Sequence, residues 1–198
     1  MERGYWIRSK PVYASLAWQH QAQAHVVLAQ GEAGRALLRL YQQRLPEQPV
    51  VILYLAGQEA DYTAALKSVA GDSVQVFASQ EALWAAFDAL LSTAYMGTRL
   101  YAAGDEGFLW QVSTLAAKHG VLNADIMREQ HISLARPVYC VHCKTVTPHV
   151  TTNIAVCRGC RRHLFVRDHF SRRLGAYMGL MVDAEAPGEI PVAEEIYP

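Results

Sequence analysis

The residues most able to do chemistry in this 198-residue chain gather near its C-terminal end. All four cysteines fall within 21 residues, as Cys140-Val141-His142-Cys143, a 13-residue spacer, and Cys157-Arg158-Gly159-Cys160. A C-x2-C step lets two thiolates converge on one ion, and two such steps complete a tetrahedron. The pattern predicts a zinc ion held by Cys140, Cys143, Cys157 and Cys160 in a zinc ribbon. Four protein ligands leave no position for water, so the role expected is structural and not catalytic. Gly159 is expected to supply permissive backbone torsions, and the Thr- and Val-rich spacer from Thr145 to Val156 to form the hairpin that brings the two steps together. Two disulfides are the first competing reading. They are disfavoured because C-x2-C pairs have poor bridge geometry and the chain shows no secretion signal. Iron in a rubredoxin-type site, passing single electrons, is the second. The knuckles lack the glycines and prolines expected around such an iron, so zinc is favoured.

The remaining polar residues of this region are read more plainly. His142, His149, His163 and His169 are expected as surface or supporting groups, since the cysteines already saturate an ion. Asp168-His169-Phe170-Ser171 has the residue types of a hydrolytic triad, but near-neighbours in sequence do not generally converge as one, and a brace or interface is expected. Nothing at metal-ligand spacing remains for oxygen activation, and no catalytic or cofactor-binding residue is assigned. Formal charge balances to zero overall, yet eight Lys or Arg and one acid, Asp168, lie between Arg136 and Arg173, followed by Asp183, Glu185, Glu189, Glu194 and Glu195. A basic face partly neutralised by its own tail and a docking surface for an acidic partner are both consistent with this segregation. Arg-rich flanks also suit nucleic-acid binding, against which overall neutrality and the acidic tail count.

The elements in front of the cysteines alternate as βαβ units do. Strands are expected at Val26–Ala29, Val50–Leu55, Val74–Phe77, Arg99–Ala103 and near Asp125–Arg128. Helices are expected at Glu32–Leu45, Tyr62–Val69 capped by Asp61, after Ser79, and at Gly107–His119. Five strands with crossover helices on both faces make a doubly wound, mostly parallel α/β fold. The expected division is an N-terminal extension over 1–24, the α/β domain over 25–134, and the zinc ribbon with its acidic tail over 135–198, with Pro137 interrupting pairing at the joint. No apolar run approaches the roughly 20 residues of a membrane span, so a cytoplasmic protein is expected.

Two resemblances follow from particular residues. Val26-Val27-Leu28-Ala29-Gln30-Gly31-Glu32-Ala33-Gly34, Leu100 to Phe108 and Asp125 to Glu129 resemble, in order, the glycine-rich turn, the Cys-Gly-Pro strand end and the terminal Glu of the NAD-binding domain of ferredoxin reductase-type flavoproteins. Glu32 stands where a pyrophosphate would sit, and Ala103 and Asp105 replace that family's Cys and Pro around Gly104, so the domain is expected to be a degenerate reductase module. The second resemblance rests on Tyr139-Cys140-Val141-His142-Cys143-Lys144, Cys157 to Cys160, Val166 to Arg173, Gly175 to Gly179 and Asp183 to Gly188. These stretches resemble the small zinc-ribbon subunit family of dimethylamine monooxygenase. That resemblance implies a subunit, not catalytic alone, of a hetero-oligomeric NADPH-dependent oxygenase that converts dimethylamine to methylamine and formaldehyde. Flavin, iron-sulfur centre and oxygen-activating iron would then reside on partner subunits.

Overall fold

The computed structural model describes residues 9–58, 60–131 and 133–198; the first eight residues of the expected N-terminal extension lie outside these. The chain divides into two compact units, Tyr13–Ile132, and Ser133–Pro198 together with the described residues 9–12.

The first unit is a parallel sheet of β1 (Ala24–Gln30), β2 (Val50–Leu55), β3 (Val74–Phe77), β4 (Thr98–Gly104) and β5 (Ile126–Gln130), in the order β3-β2-β1-β4-β5. Its crossovers carry α1 (Gly34–Tyr41), α2 (Thr63–Ala70), α3 (Gln80–Ser92) and α4 (Glu106–Lys118), with α1 packed on α2 and α3 on α4. Both faces of the central strands are therefore covered, which is why Val26 to Ala29 and Ile52 to Tyr54 are apolar without alternation and fully buried. The expected helix from Glu32 begins instead as a 3-10 turn at Gly31–Ala33, and α1 ends at Tyr41, ahead of Pro46. Ser79 caps α3 through the Ala82 N–H, and Asp105 caps α4 through the Phe108 N–H (2.8 Å).

Residues 13–23 form no helix or strand, yet Leu16, Trp18 and Ala22 are buried. Side-chain hydrogen bonds tie the segment down. Trp18 Nε1 donates to the Leu40 carbonyl (2.9 Å), and the Leu16 N–H donates to Glu129 Oε2 (2.8 Å), a carboxylate that Arg39 also holds. Such a segment leaves no periodicity to read.

The second unit is a five-stranded sheet of β6 (Arg136–Cys140), β7 (Val146–Val150), β8 (Ile154–Val156), β9 (His163–Ser171) and β10 (Ala176–Met181), in the order β7-β6-β10-β9-β8. β6 and β10 run parallel and the other pairs antiparallel. The Thr145–Val156 spacer is not the hairpin expected: β7 pairs with β6 and β8 with β9, so the spacer joins opposite edges of the sheet. Pro148 lies in edge strand β7, and Pro137 lies inside β6 at a register shift between Arg136 and Val138, both places where a missing N–H is tolerated. The C-terminal tail lies along this sheet. Glu195 bridges to Thr152, and the N–H groups of Ile196 and Tyr197 donate to the Thr151 carbonyl.

Candidate metal centre

The two C-x2-C steps are the turns of two hairpins, β6 to β7 and β8 to β9, and they fold alike. In the first, the Lys144 N–H donates to the Cys140 carbonyl (2.9 Å) and the Cys140 N–H to the Thr145 carbonyl (2.9 Å). In the second, the Arg161 N–H donates to the Cys157 carbonyl (3.0 Å) and the Cys157 N–H to the Arg162 carbonyl (2.8 Å). Lys144 (φ 68°) and Arg161 (φ 61°) occupy the left-handed region at equivalent positions. Gly159 does not; its backbone freedom is not what the turn uses. A Cβ there would stand 2.5 Å from Thr145 Oγ1 and 3.1 Å from Cys143 Sγ, so glycine is required by close approach of the two turns.

All four sulfurs lie within 4.8 Å of one another, with Cys140 to Cys160 at 3.8 Å and Cys143 to Cys157 at 3.5 Å. The cysteines are free, and these separations are far beyond the roughly 2.05 Å of a disulfide. In a flat sheet β6 and β8, three strand spacings apart in the sheet order, would be about 14 Å apart. Convergence of Cys140 and Cys157 therefore requires the sheet to coil, and the extra residues that β7 carries opposite β6 and β9 opposite β10 assist this. Cys140 and Cys157 are buried, Cys143 and Cys160 half-buried. Burial pushes the Cys140 thiol up to about 11, against the N–H groups of Cys143 and His142 directed at its sulfur. The Thr145 hydroxyl, and then its N–H, bring Cys143 down to about 6, and the Arg162 N–H lowers Cys160. Donors already aimed at the sulfurs favour thiolates, the form in which cysteine binds metals.

Among the described residues no second cluster of metal-ligating groups occurs, and His142, His149, His163 and His169 join none. His142 Nδ1 instead accepts from Arg162 Nη1 (3.0 Å). Asp168 and His169 lie in the stretch of β9 between Val166 and Phe170, where its register with β10 shifts. The Asp168 carboxylate receives Arg136 Nη1 (2.7 Å), and the buried Arg136 guanidinium lies between the rings of Tyr177 (4.0 Å) and Tyr197 (3.7 Å).

In the α/β unit, the strand order reverses between β1 and β4, and open α/β sheets bind ligands in the crevice at such a point. Here Gln30 Nε2 donates to Asp105 Oδ2 (2.7 Å) across the strand ends. Tyr62 lies against Gly34, its Cβ 2.7 Å and its ring Cγ 2.9 Å from where a Cβ would stand, and Tyr54 Oη donates to the Gly31 carbonyl (2.9 Å). Glu32 is paired with Arg35 at 3.5 Å, and Glu106, buried in the first turn of α4, accepts from Tyr13 Oη. Both turns facing the crevice thus carry carboxylates. The contributions of Gln30, Tyr54 and Tyr62 were not read from the sequence, where a glutamine ending a strand, a tyrosine within a strand and another just before a helix carry no distinctive signal. Among the described residues, no helix is long and apolar enough to cross a membrane.

Fold and site together define an α/β protein with a doubly wound parallel sheet and an appended four-cysteine ribbon. The family described as "Dimethylamine monooxygenase subunit DmmA-like" matches with its N-terminal domain over residues 5–126 and its C-terminal domain over residues 137–180, and the chain belongs to that family. A curated relative, the heme-dependent oxidative N-demethylase delta subunit of Ectopseudomonas mendocina (strain ymp), is 41% identical over 97 residues, 49% of this chain and 55% of the relative. The aligned part thus spans about half the length of that relative. Among solved structures, an intact type IV self-sufficient cytochrome P450 monooxygenase overlaps 66% of this chain and 19% of its own, at 18% identity and a TM-score of 0.46. Phthalate dioxygenase reductase overlaps 69% of this chain and 47% of its own, at 12% identity and a TM-score of 0.44. Overlaps this partial assign no function to the chain.

Proposed function

We propose that this chain is a non-catalytic or electron-path-supporting subunit of a multi-subunit, NADPH-dependent amine monooxygenase acting on dimethylamine. In this reading Cys140, Cys143, Cys157 and Cys160 hold a structural zinc ion, and the ribbon docks onto partner subunits that carry the flavin, the iron-sulfur centre and the oxygen-activating iron. Zinc supplies a cross-link here, tying two hairpins of a unit too small to rely on its core alone.

The observation that carries the reading is the spacing of the four sulfurs. Zinc–sulfur bonds of about 2.3 Å give a tetrahedron with edges of about 3.8 Å, close to the 3.5 and 3.8 Å separations here. Family membership supports the assignment to an amine monooxygenase. Two measurements test it. Elemental analysis of the purified chain is expected to give one zinc per chain and a colourless protein; a red protein containing iron would replace the structural role with electron carriage. Co-expression with the other subunits is expected to yield a complex whose amine oxidation falls when this chain is omitted. Elution of the chain alone, with oxidation unchanged by its omission, ends the subunit reading.

A further inference from the structure

Beyond a metal site, the ribbon presents an unspent surface. Lys144, Arg158, Arg161 and Arg162 all lie on the two cysteine turns, and Arg167 follows on β9. Among the described residues none of these five cations forms an ion pair. The same unit carries Asp183, Glu185, Glu189, Glu194 and Glu195, and among the described residues none of these pairs with a cation either. The tail therefore does not neutralise the basic strip by direct contact. Clustered like charges repel one another, so a persistent cationic tip costs stability unless carboxylates from elsewhere meet it.

Apolar groups lie beside the cations. The register of β9 with β10 sets Phe165 opposite Leu180, and that of β8 with β9 sets Val156 opposite His163, two residues from Phe165 and on the same face. Phe165 is 42% exposed, Leu180 39% and Val156 39%. Arg167 flanks Phe165 along β9, and Val156 leads directly into Cys157. An exposed apolar centre with a charged rim is the anatomy of a protein interface. It suits a nucleic-acid backbone less, whose contacts are polar and charged throughout.

We infer that the cysteine turns and the outer face of β8, β9 and β10 form a docking surface for a carboxylate-rich protein face. This inference rests on the subunit reading and names the chemistry of the partner: acidic residues opposite Lys144 and the arginines, and an apolar depression opposite Phe165.

The test uses the full chain within its complex. Lys144 is the single lysine of the ribbon unit's Ser133–Pro198, so zero-length carbodiimide coupling followed by mass spectrometry is expected to join Lys144 to an Asp or Glu of another subunit. The variant Arg158→Glu/Arg161→Glu/Arg167→Glu is expected to keep its metal and to associate about tenfold more weakly or worse, since like charges facing each other across an interface are strongly unfavourable. Phe165→Ser is expected to weaken association about tenfold as well. If the chain still copurifies with its partners while the triple variant binds as tightly as the parent and Lys144 couples to nothing, the subunit reading stands and this surface is wrong. Salt-sensitive binding of duplex DNA through the same arginines, with subunit association unaltered, also overturns it. Failure of the unmodified chain to associate at all removes the subunit reading itself.

Discussion

Gln30 at the end of β1 donates to Asp105 at the N-terminus of α4, 2.7 Å away, across the gap where the strand order of the sheet reverses. A dinucleotide bound at such a gap needs its pyrophosphate on free amides at a helix N-terminus. Here the gap is bridged, and Glu32 and Glu106 add negative charge beside it. NADPH titration of the isolated chain is expected to leave intrinsic tryptophan fluorescence and melting temperature unchanged. Glu32→Gly alone is expected not to create binding, because Tyr62 against Gly34 and the Gln30–Asp105 bond remain. Micromolar affinity for NADPH in the unmodified chain would falsify this account of the crevice.

Replacing any one of Cys140, Cys143, Cys157 and Cys160 by Ser is expected to lower bound metal to a small fraction of one equivalent and to unfold the ribbon. The apparent contribution of a structural zinc ion to folding is on the order of 10 kcal/mol, more than a unit this small retains without it. Chelation is expected to do the same reversibly. Circular dichroism and metal analysis read the outcome, and a variant that keeps full metal and the native spectrum excludes the site.

Arg136, buried between Tyr177 and Tyr197 and bonded to Asp168, fastens the end of the chain to the ribbon. A desolvated cation–π contact contributes about 2 kcal/mol. Tyr197→Ala is expected to destabilise the ribbon by about 1–3 kcal/mol once lost apolar packing is included. Limited proteolysis should then cut within residues 183–196 earlier than in the parent; an unchanged cleavage pattern removes the fastening role.

Glu129 holds the irregular N-terminal segment to the sheet through the Leu16 N–H, with Arg39 on the same carboxylate. Arg39 is 45% exposed, so solvent screens most of its share. The unpaired N–H dominates the cost, and Glu129→Ala is expected to lower stability by about 1–3 kcal/mol in urea denaturation. Glu129→Gln keeps an acceptor and should lose less; equal losses would show that the hydrogen bond to Leu16 does not matter.

His25 is buried under Trp18 and Tyr101. Tyr101 Oη accepts from the Gln19 N–H and lies at hydrogen-bond distance, 2.9 Å, from His25 Nδ1. Burial, and then the neighbouring His20, hold the His25 pKa below its ordinary 6.5. In the unfolded chain it takes up a proton near 6.5 while the folded chain resists, so more protons are bound unfolded and stability rises with pH through this range. Expected is a loss of stability as pH falls through 6.5 and down to the lowered folded value. His25→Gln should flatten that slope, which denaturant midpoints measured across the range will reveal.

Much of this molecule was written in local pattern. The C-x2-C pairs marked the four sulfurs that the fold gathers within 4.8 Å of one another, because a tight turn brings two thiols three residues apart to one side. Continuous runs such as Val50–Leu55 declared strands buried on both faces, and Ser79 announced the start of α3 through a capping bond made within one turn. Local chemistry of this kind is complete within a few residues, so the chain displays it without being folded.

What depended on tertiary structure was every relationship between distant residues. Leu16 and Glu129, Gln30 and Asp105, and Arg136 and Tyr197 meet across separations no periodicity spans. The spacer between the cysteine pairs reads equally well as a hairpin or as a crossing between sheet edges, because β-propensity specifies a strand but not its neighbour. Pairing is decided by which strands share a core, and here β10 enters between β6 and β9 and carries β7 and β8 to opposite edges. Only then do the two cysteine turns close on one another, with Gly159 pressed against Thr145 because the coiled sheet leaves no room for a side chain.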